Sequence, residues 1–274
     1  MAIRIVQSKQ NARVKELRSA LLRPGKSPGE TVGIEGIHLV GEALRSGLAF
    51  DAIFVAQGHE SLMRQLGGSD SWLQTVEVLA LPAEVLASAV TTDSPQPVAA
   101  LVRPRSWQWG DILGGEVSRR ALVVVLAGVQ DPGNLGTILR SAEAFGATGA
   151  VCLPGTVSPW NPKAVRASAG SVFRLPFLDA SAEACFLHLT GAGVASLATL
   201  AREAESLERI DLSGPVAIFI GSEGAGLSPE IAAQCGTRIT IPCPGPVESL
   251  NAAVAASVLL YEAARQRRAI GGRP

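Results

Sequence analysis

Beyond residue 120 the chain alternates nearly continuous apolar runs with helical patterns. The runs fall at Leu122–Leu126, Ala150–Leu153, Gly193–Leu197, Val216–Ile220 and Arg238–Ile241. A strand with one wetted face alternates apolar and polar residues, whereas runs rich in Val, Ile and Leu throughout suit strands buried on both faces. Helices fit between the runs, the last from about Asn251 to Arg267. This spacing predicts an α/β domain built on a parallel sheet with helices on either side.

The first hundred residues carry a second, smaller αβ rhythm. Val14, Leu17 and Leu21 recur at helical spacing and Pro24-Gly25 ends the pattern. A strand around Val32 to Ile34 follows, then a helix opened by Gly36, a strand over Ala52 to Val55, β-like alternation over Trp72 to Leu79, a helical turn from Pro82 to Ala89, and a strand over Val98 to Val102. Residues 103 to 120, with Arg103-Pro104-Arg105, Trp107, Trp109 and Gly114-Gly115, break both rhythms and read as a linker. The expected division is therefore residues 1–105, a linker over 106–120, and a second domain over 121–274. The two linker tryptophans are expected to pin it against a domain, since Trp is usually well buried.

Net charge is zero, so the surface as a whole is not built to coat nucleic acid. The charge is uneven, however. Arg4, Lys9, Arg13, Lys15, Arg18, Arg23 and Lys26 face only Glu16 within the first 26 residues, an excess suited either to RNA phosphates or to a solvated helix face. The longest apolar runs are about half of the ~18 residues a membrane span needs, and the N-terminus lacks a hydrophobic signal core. A cytoplasmic protein without a membrane segment is expected. Cys152, Cys185, Cys235 and Cys243 form no C-x-x-C pair and His38, His59 and His188 lie away from them, which predicts buried thiols and no metal site.

Three segments carry polar residues where strands give way to helices. Asp131 to Arg140 follows the first apolar run, with Gly133 and Gly136 allowing a close turn. Asn134 there suits either a helix cap or a ligand contact, and Arg140, set among Ile138, Leu139, Ala142 and Phe145, reads as a semi-buried guanidinium seeking a phosphate or carboxylate, roughly on the side of Asn134. Gly221-Ser222-Glu223-Gly224-Ala225-Gly226-Leu227 leaves another run at the end where open α/β sheets bind ligands. Its G-x-x-G-x-G spacing, without a following acidic residue at the expected distance, is a poor fit to a nicotinamide cofactor. Ile241-Pro242 is followed by Ser249-Leu250-Asn251, with Ser249 a plausible cap of the last helix.

The order N-x-G-x-x-x-R (Asn134 to Arg140), G-S-E-G-x-G-L-S (Gly221 to Ser228) and I-P…S-L-N (Ile241 to Asn251) resembles the three motifs of the TrmH (SpoU) family of RNA ribose 2′-O-methyltransferases. The resemblance covers about residues 120 to 268. Asn11-Ala12-Arg13-Val14-Lys15 and Glu35-Gly36-Ile37-His38-Leu39-Val40 look like parts of the L30e-like RNA-binding domain found ahead of many such catalytic domains. What the resemblance implies is an α/β domain whose C-terminal segment is tied in a trefoil knot, of the SPOUT kind, preceded by a small L30e-like domain. Topology rules alone would suggest an unknotted doubly wound sheet.

The resemblance further implies S-adenosylmethionine as cofactor, held against Leu197, Gly221, Ile241 and Leu250, and RNA, most often ribosomal, as substrate. Asn134, Arg140, Glu223, Ser249 and Asn251 would surround the acceptor nucleotide. Arg4, Lys9, Arg13, Lys15 and Arg18 would contact RNA, and the active site would lie in a homodimer formed through the C-terminal domain. Arg140 could activate the acceptor hydroxyl or grip phosphate and stabilise developing alkoxide charge. A non-catalytic RNA-binding or ribosome-assembly protein with the same fold is the second reading, and a nucleotide-dependent oxidoreductase a distant third.

Overall fold

The computed structural model describes residues 3–22, 30–67, 76–92, 94–115, 121–247 and 249–271, with backbone alone for the last two. Pro24-Gly25, Arg23, Lys26, Trp72, Arg119-Arg120 and Glu248 lie outside the described residues. The chain forms two compact units, one of residues 1–106 with 160–173, the other of residues 107–159 with 174–274.

In the first unit the elements run β1 (Ile3–Ile5), α1 (Ala12–Leu22), β2 (Val32–Glu35), α2 (Ile37–Arg45), β3 (Ala49–Ala56), α3 (Leu62–Gly67), β4 (Glu77–Leu81), α4 (Ala83–Ala87) and β5 (Val98–Arg103). The described strands form a mixed sheet in the order β1-β4-β3-β5-β2, parallel over β1, β4 and β3 and antiparallel from β3 through β5 to β2. Val14, Leu17 and Leu21 of α1 are buried with Phe54, Leu79 and Leu101, so the helical spacing read from the sequence is the stripe that closes this core.

The second unit begins with α5 (Trp109–Ile112), inside the expected linker, where Trp109 stacks on His188 with ring centroids 4.4 Å apart. It continues with β6 (Leu122–Ala127), α6 (Pro132–Ala144) and β7 (Gly149–Cys152). The chain next supplies α7 (Pro162–Ser168), which packs on β2 as part of the first unit. It returns through β8 (Phe177–Asp179), α8 (Ala182–Gly191), β9 (Ala195–Thr199), β10 (Glu205–Ser206), β11 (Val216–Gly221), α9 (Pro229–Gln234), β12 (Thr237–Thr240) and α10 (Ala252–Gly271).

The described strands of this unit form one sheet, in the order β10-β12-β9-β11-β6-β7-β8, with every pairing parallel. Leu122 to Leu126 of β6 and all of β11 are buried, as strands covered on both faces must be. The order doubles back. After β6, β7 and β8 step outward on one side, the chain crosses to β9 on the other, and β11 then enters between β9 and β6. The C-terminal ends of β9, β11 and β12 consequently open in one direction, at the place where parallel sheets bind ligands.

The last turns of α10 are fastened to this unit. Arg267 donates to the carbonyl oxygens of Leu212 and Ala121, each at 3.0 Å, and Gln266 donates to Ile210 and accepts from Leu212 N–H. Cys152 and Cys185 are buried as expected, but Cys235 and Cys243 are only half-buried. Burial pushes the Cys185 and Cys235 thiols up to about 12, which keeps both protonated and unreactive near neutrality. Among the described residues no helix is long and apolar enough to cross a membrane, and no group of three His, Cys, Asp or Glu side chains could hold a metal.

Candidate functional site

At the open ends of β9, β11 and β12 lies a cavity of about 700 Å³, within the usual range for small-molecule sites. Thr199 to Arg202, Ile220 to Leu227, Thr240 to Cys243, and Ser249, Leu250 and Ala252 contribute to its walls. The Gly221 loop is shaped by its own backbone. Ser222 and Gly226 exchange both main-chain hydrogen bonds, at 3.1 and 3.0 Å, and buried Leu227 anchors the far side. A Cβ on Gly221 would overlap the carbonyl carbon of Gly226 and the nitrogen of Leu227, so only glycine lets the loop fold back this tightly. What results is a wall of main chain and small side chains.

Gly221, Ile241 and Leu250 are all in that wall, where the sequence placed a cofactor. Leu197 is not. It is buried inside β9, which runs on to Thr199, so the strand end that meets the cavity lies two residues later than the sequence suggested.

Beside the cavity the three motif segments meet through hydrogen bonds. Glu223 accepts from the side-chain amide of Asn134 at 3.0 Å and from the backbone N–H groups of Asp131 at 3.2 Å and Gln130 at 3.3 Å. Asn134 in turn accepts from the side-chain amide of Asn251 at 3.0 Å. Burial pushes the Glu223 carboxyl up, but these hydrogen bonds together outweigh it and hold the group below its ordinary range. Glu223 is therefore an anion already supplied with donors, a clamp between segments and a poor proton acceptor near neutrality.

Helix capping differs from the sequence reading at both helix starts. Asp131, not Asn134, caps α6: its carboxylate accepts from Asn134 N–H at 2.7 Å with Pro132 at the first helical position, which leaves the Asn134 side chain free to bridge. Asn251, not Ser249, caps α10, accepting from Ala253 N–H at 2.9 Å and Val254 N–H at 3.3 Å. Ser249 stays exposed on the cavity wall.

Arg140 is exposed rather than semi-buried, and makes no hydrogen bond or ion pair with the described residues. Helical phase explains this. Leu135, Ile138, Leu139 and Ala142 form the buried stripe of α6, and at about 100° per residue Arg140 falls opposite that stripe and about 120° from Asn134. The site thus joins Asn134, Glu223 and Asn251 directly, keeps Ser249 on the wall, and holds Arg140 apart on the solvent face. The Asp131 cap and the β9 exit from Thr199 to Arg202 escaped the sequence reading. Asp131-Pro132 is itself a legible helix start, whereas the β9 exit carries no motif.

In the first unit, Arg4 and Arg13 both bond Glu77, at 3.3 and 2.9 Å, and Arg13 also pairs with Glu16 at 2.8 Å. Lys9, Lys15 and Arg18 remain exposed. The basic stretch is therefore split between cations neutralised inside the unit and cations open to a partner.

Known proteins resemble this chain along most of its length. Residues 121–261 match the profile of the SpoU rRNA Methylase family, and residues 11–100 match the MRM3-like substrate binding domain. A Synechocystis protein named as an uncharacterized tRNA/rRNA methyltransferase is 34% identical over 265 residues, spanning 96% of this chain and 94% of the relative. The Bacillus subtilis 23S rRNA (guanosine(2553)-2′-O)-methyltransferase RlmP is 29% identical over 93% of this chain and 97% of its own. The crystal structure of an AdoMet-bound rRNA methyltransferase from Sinorhizobium meliloti superposes with a TM-score of 0.80 at 32% identity, covering 96% of this chain and 98% of that one.

Proposed function

Because the chain belongs to the SpoU rRNA methylase family, we propose that it transfers a methyl group from S-adenosylmethionine to a ribose 2′-hydroxyl of ribosomal RNA in the cytoplasm. Family membership and AdoMet-bound relatives identify S-adenosylmethionine as the cofactor. The observation that carries the reaction is the joint of Asn134, Glu223 and Asn251 beside a cavity walled by Gly221, Ile241 and Leu250. The 2′-hydroxyl is favoured because the Bacillus subtilis relative carries that specificity in its name.

When bound, the cofactor supplies a methyl group already activated by its sulfonium charge. What the protein must add is alignment of donor and acceptor and management of the hydroxyl proton. Gly221, Ile241 and Leu250 hold the donor against main chain. Glu223 locks the loop of the donor pocket to the N-terminus of α6, and Asn134 and Asn251 extend that lock toward the acceptor. Arg140 acts through its guanidinium, holding RNA phosphate and stabilising charge on the acceptor oxygen.

The exposed position of Arg140 suits a site completed by a second subunit. α10 supports a homodimer through this unit, since Val254, Val258 and Tyr261 stand exposed at the i, i+4, i+7 spacing of one helix face. The same proposal includes the C-terminal trefoil knot, and an L30e-like domain over residues 1–105 that selects RNA, supported by the substrate-binding profile there. Mapping 2′-O-methyl positions in ribosomal RNA from cells with and without the gene tests the assignment. One position is expected to lose its mark and regain it on complementation; an unchanged map contradicts the proposal.

A further inference from the structure

The segment leaving β9 brings two polar groups to the cofactor pocket that none of the motifs includes. Thr199 ends the strand, and its Oγ1 is buried with no hydrogen-bond partner among the described residues. Interior hydroxyls are almost always paired, so an unpaired one on a pocket wall favours a bound molecule that pairs with it. Three residues on, Arg202 stands exposed on the same wall. Among the described lining residues Arg202 is the one cation.

S-adenosylmethionine carries three charges: a sulfonium, an ammonium and one carboxylate. Its adenosine half suits glycine, apolar side chains and main chain. An arginine would repel the sulfonium and the ammonium, and the carboxylate is the one group on the ligand that it attracts. A guanidinium also presents paired N–H donors that match two carboxylate oxygens. We propose that Arg202 binds the α-carboxylate of the cofactor, with the Thr199 hydroxyl beside it, so that the β9 exit sets the direction in which the amino-acid arm lies. This rests on the assignment of the cavity to S-adenosylmethionine.

Calorimetric titration of the full chain with S-adenosylmethionine and with decarboxylated S-adenosylmethionine, which lacks only the carboxylate, tests the pairing. The natural cofactor is expected to bind wild type about five- to tenfold more tightly than the decarboxylated form. Arg202→Ala should abolish that preference by weakening only the natural cofactor, and Arg202→Lys should fall between. Equal effects of Arg202→Ala on both ligands, or none, overturn the proposal, as does a variant that loses RNA affinity while keeping the wild-type preference. If wild type bound neither ligand, the assignment of the cavity itself would fall and this pairing with it.

Discussion

Two carboxylates, Glu223 in the second unit and Glu77 in the first, show opposite uses of an acidic residue. Glu223 accepts from the amide of Asn134 and two backbone N–H groups, and so ties the Gly221 loop to the start of α6. Glu77 accepts from Arg4 and Arg13, and so neutralises two cations of a stretch in which the sequence sets only Glu16 against its basic residues. One carboxylate assembles a site from segments far apart in sequence, and the other subdivides a charge cluster. Counting charges along the chain cannot tell these uses apart, because each depends on which strand lies alongside which.

The contrast can be broken most severely at the loop that Glu223 anchors. Gly221→Val should reduce cofactor binding and methyl transfer by more than ~100-fold, since its side chain overlaps Gly226 and Leu227; calorimetry with S-adenosylmethionine checks this. Arg140→Ala should lower turnover on ribosomal RNA by about 100-fold while leaving cofactor affinity near wild type, as expected for a group that stabilises transition-state charge. Normal turnover would remove Arg140 from the mechanism.

Glu223→Gln keeps the size but not the charge, and should lower transfer by about tenfold. The pH dependence of the clamp follows from the depressed Glu223 pKa. Its contribution is complete above the unfolded carboxyl value of ~4.3 and is lost as pH falls through the lower folded value. Melting temperature followed below pH 5 should therefore fall less steeply for Glu223→Gln than for wild type.

The charge side of the comparison predicts smaller effects. Replacing Lys9, Lys15 and Arg18 together by Ala should weaken RNA binding about tenfold and flatten its salt dependence by up to about two units of slope. Arg4→Ala should change it less than twofold, because Glu77 already holds that side chain. Glu77→Gln should release Arg4, while Arg13 keeps its pairing with Glu16, and strengthen binding slightly. An Arg4→Ala loss as large as that of the triple variant would contradict the subdivision.

Much of the architecture was legible because it is periodic. The apolar runs of β6 and β11 announced a buried parallel sheet, and Val14, Leu17 and Leu21 announced the inner face of α1. Strands of two or three residues, such as Ile3–Ile5, Phe177–Asp179 and Glu205–Ser206, carry too few positions to show a period. The site was legible in its motif residues but less so in their geometry. Arg140 was misplaced because neighbouring apolar residues obscured its helical phase, and Leu197 because the end of β9 was set two residues early. The caps at Asp131 and Asn251 were missed by choosing a nearby residue of equal capping propensity. The pairing of Arg4 with Glu77 comes from the packing of β1 against β4, and Arg13 reaches the same carboxylate from α1, which no local pattern reveals.

The most direct measurement is alkaline hydrolysis of ribosomal RNA incubated with the purified chain and methyl-labelled S-adenosylmethionine. A 2′-O-methyl group blocks cleavage of its own 3′ phosphodiester, so the account predicts label in an alkali-resistant dinucleotide, lost with Arg140→Ala. Label recovered in mononucleotides, which marks a methylated base, or no incorporation at all, would contradict it.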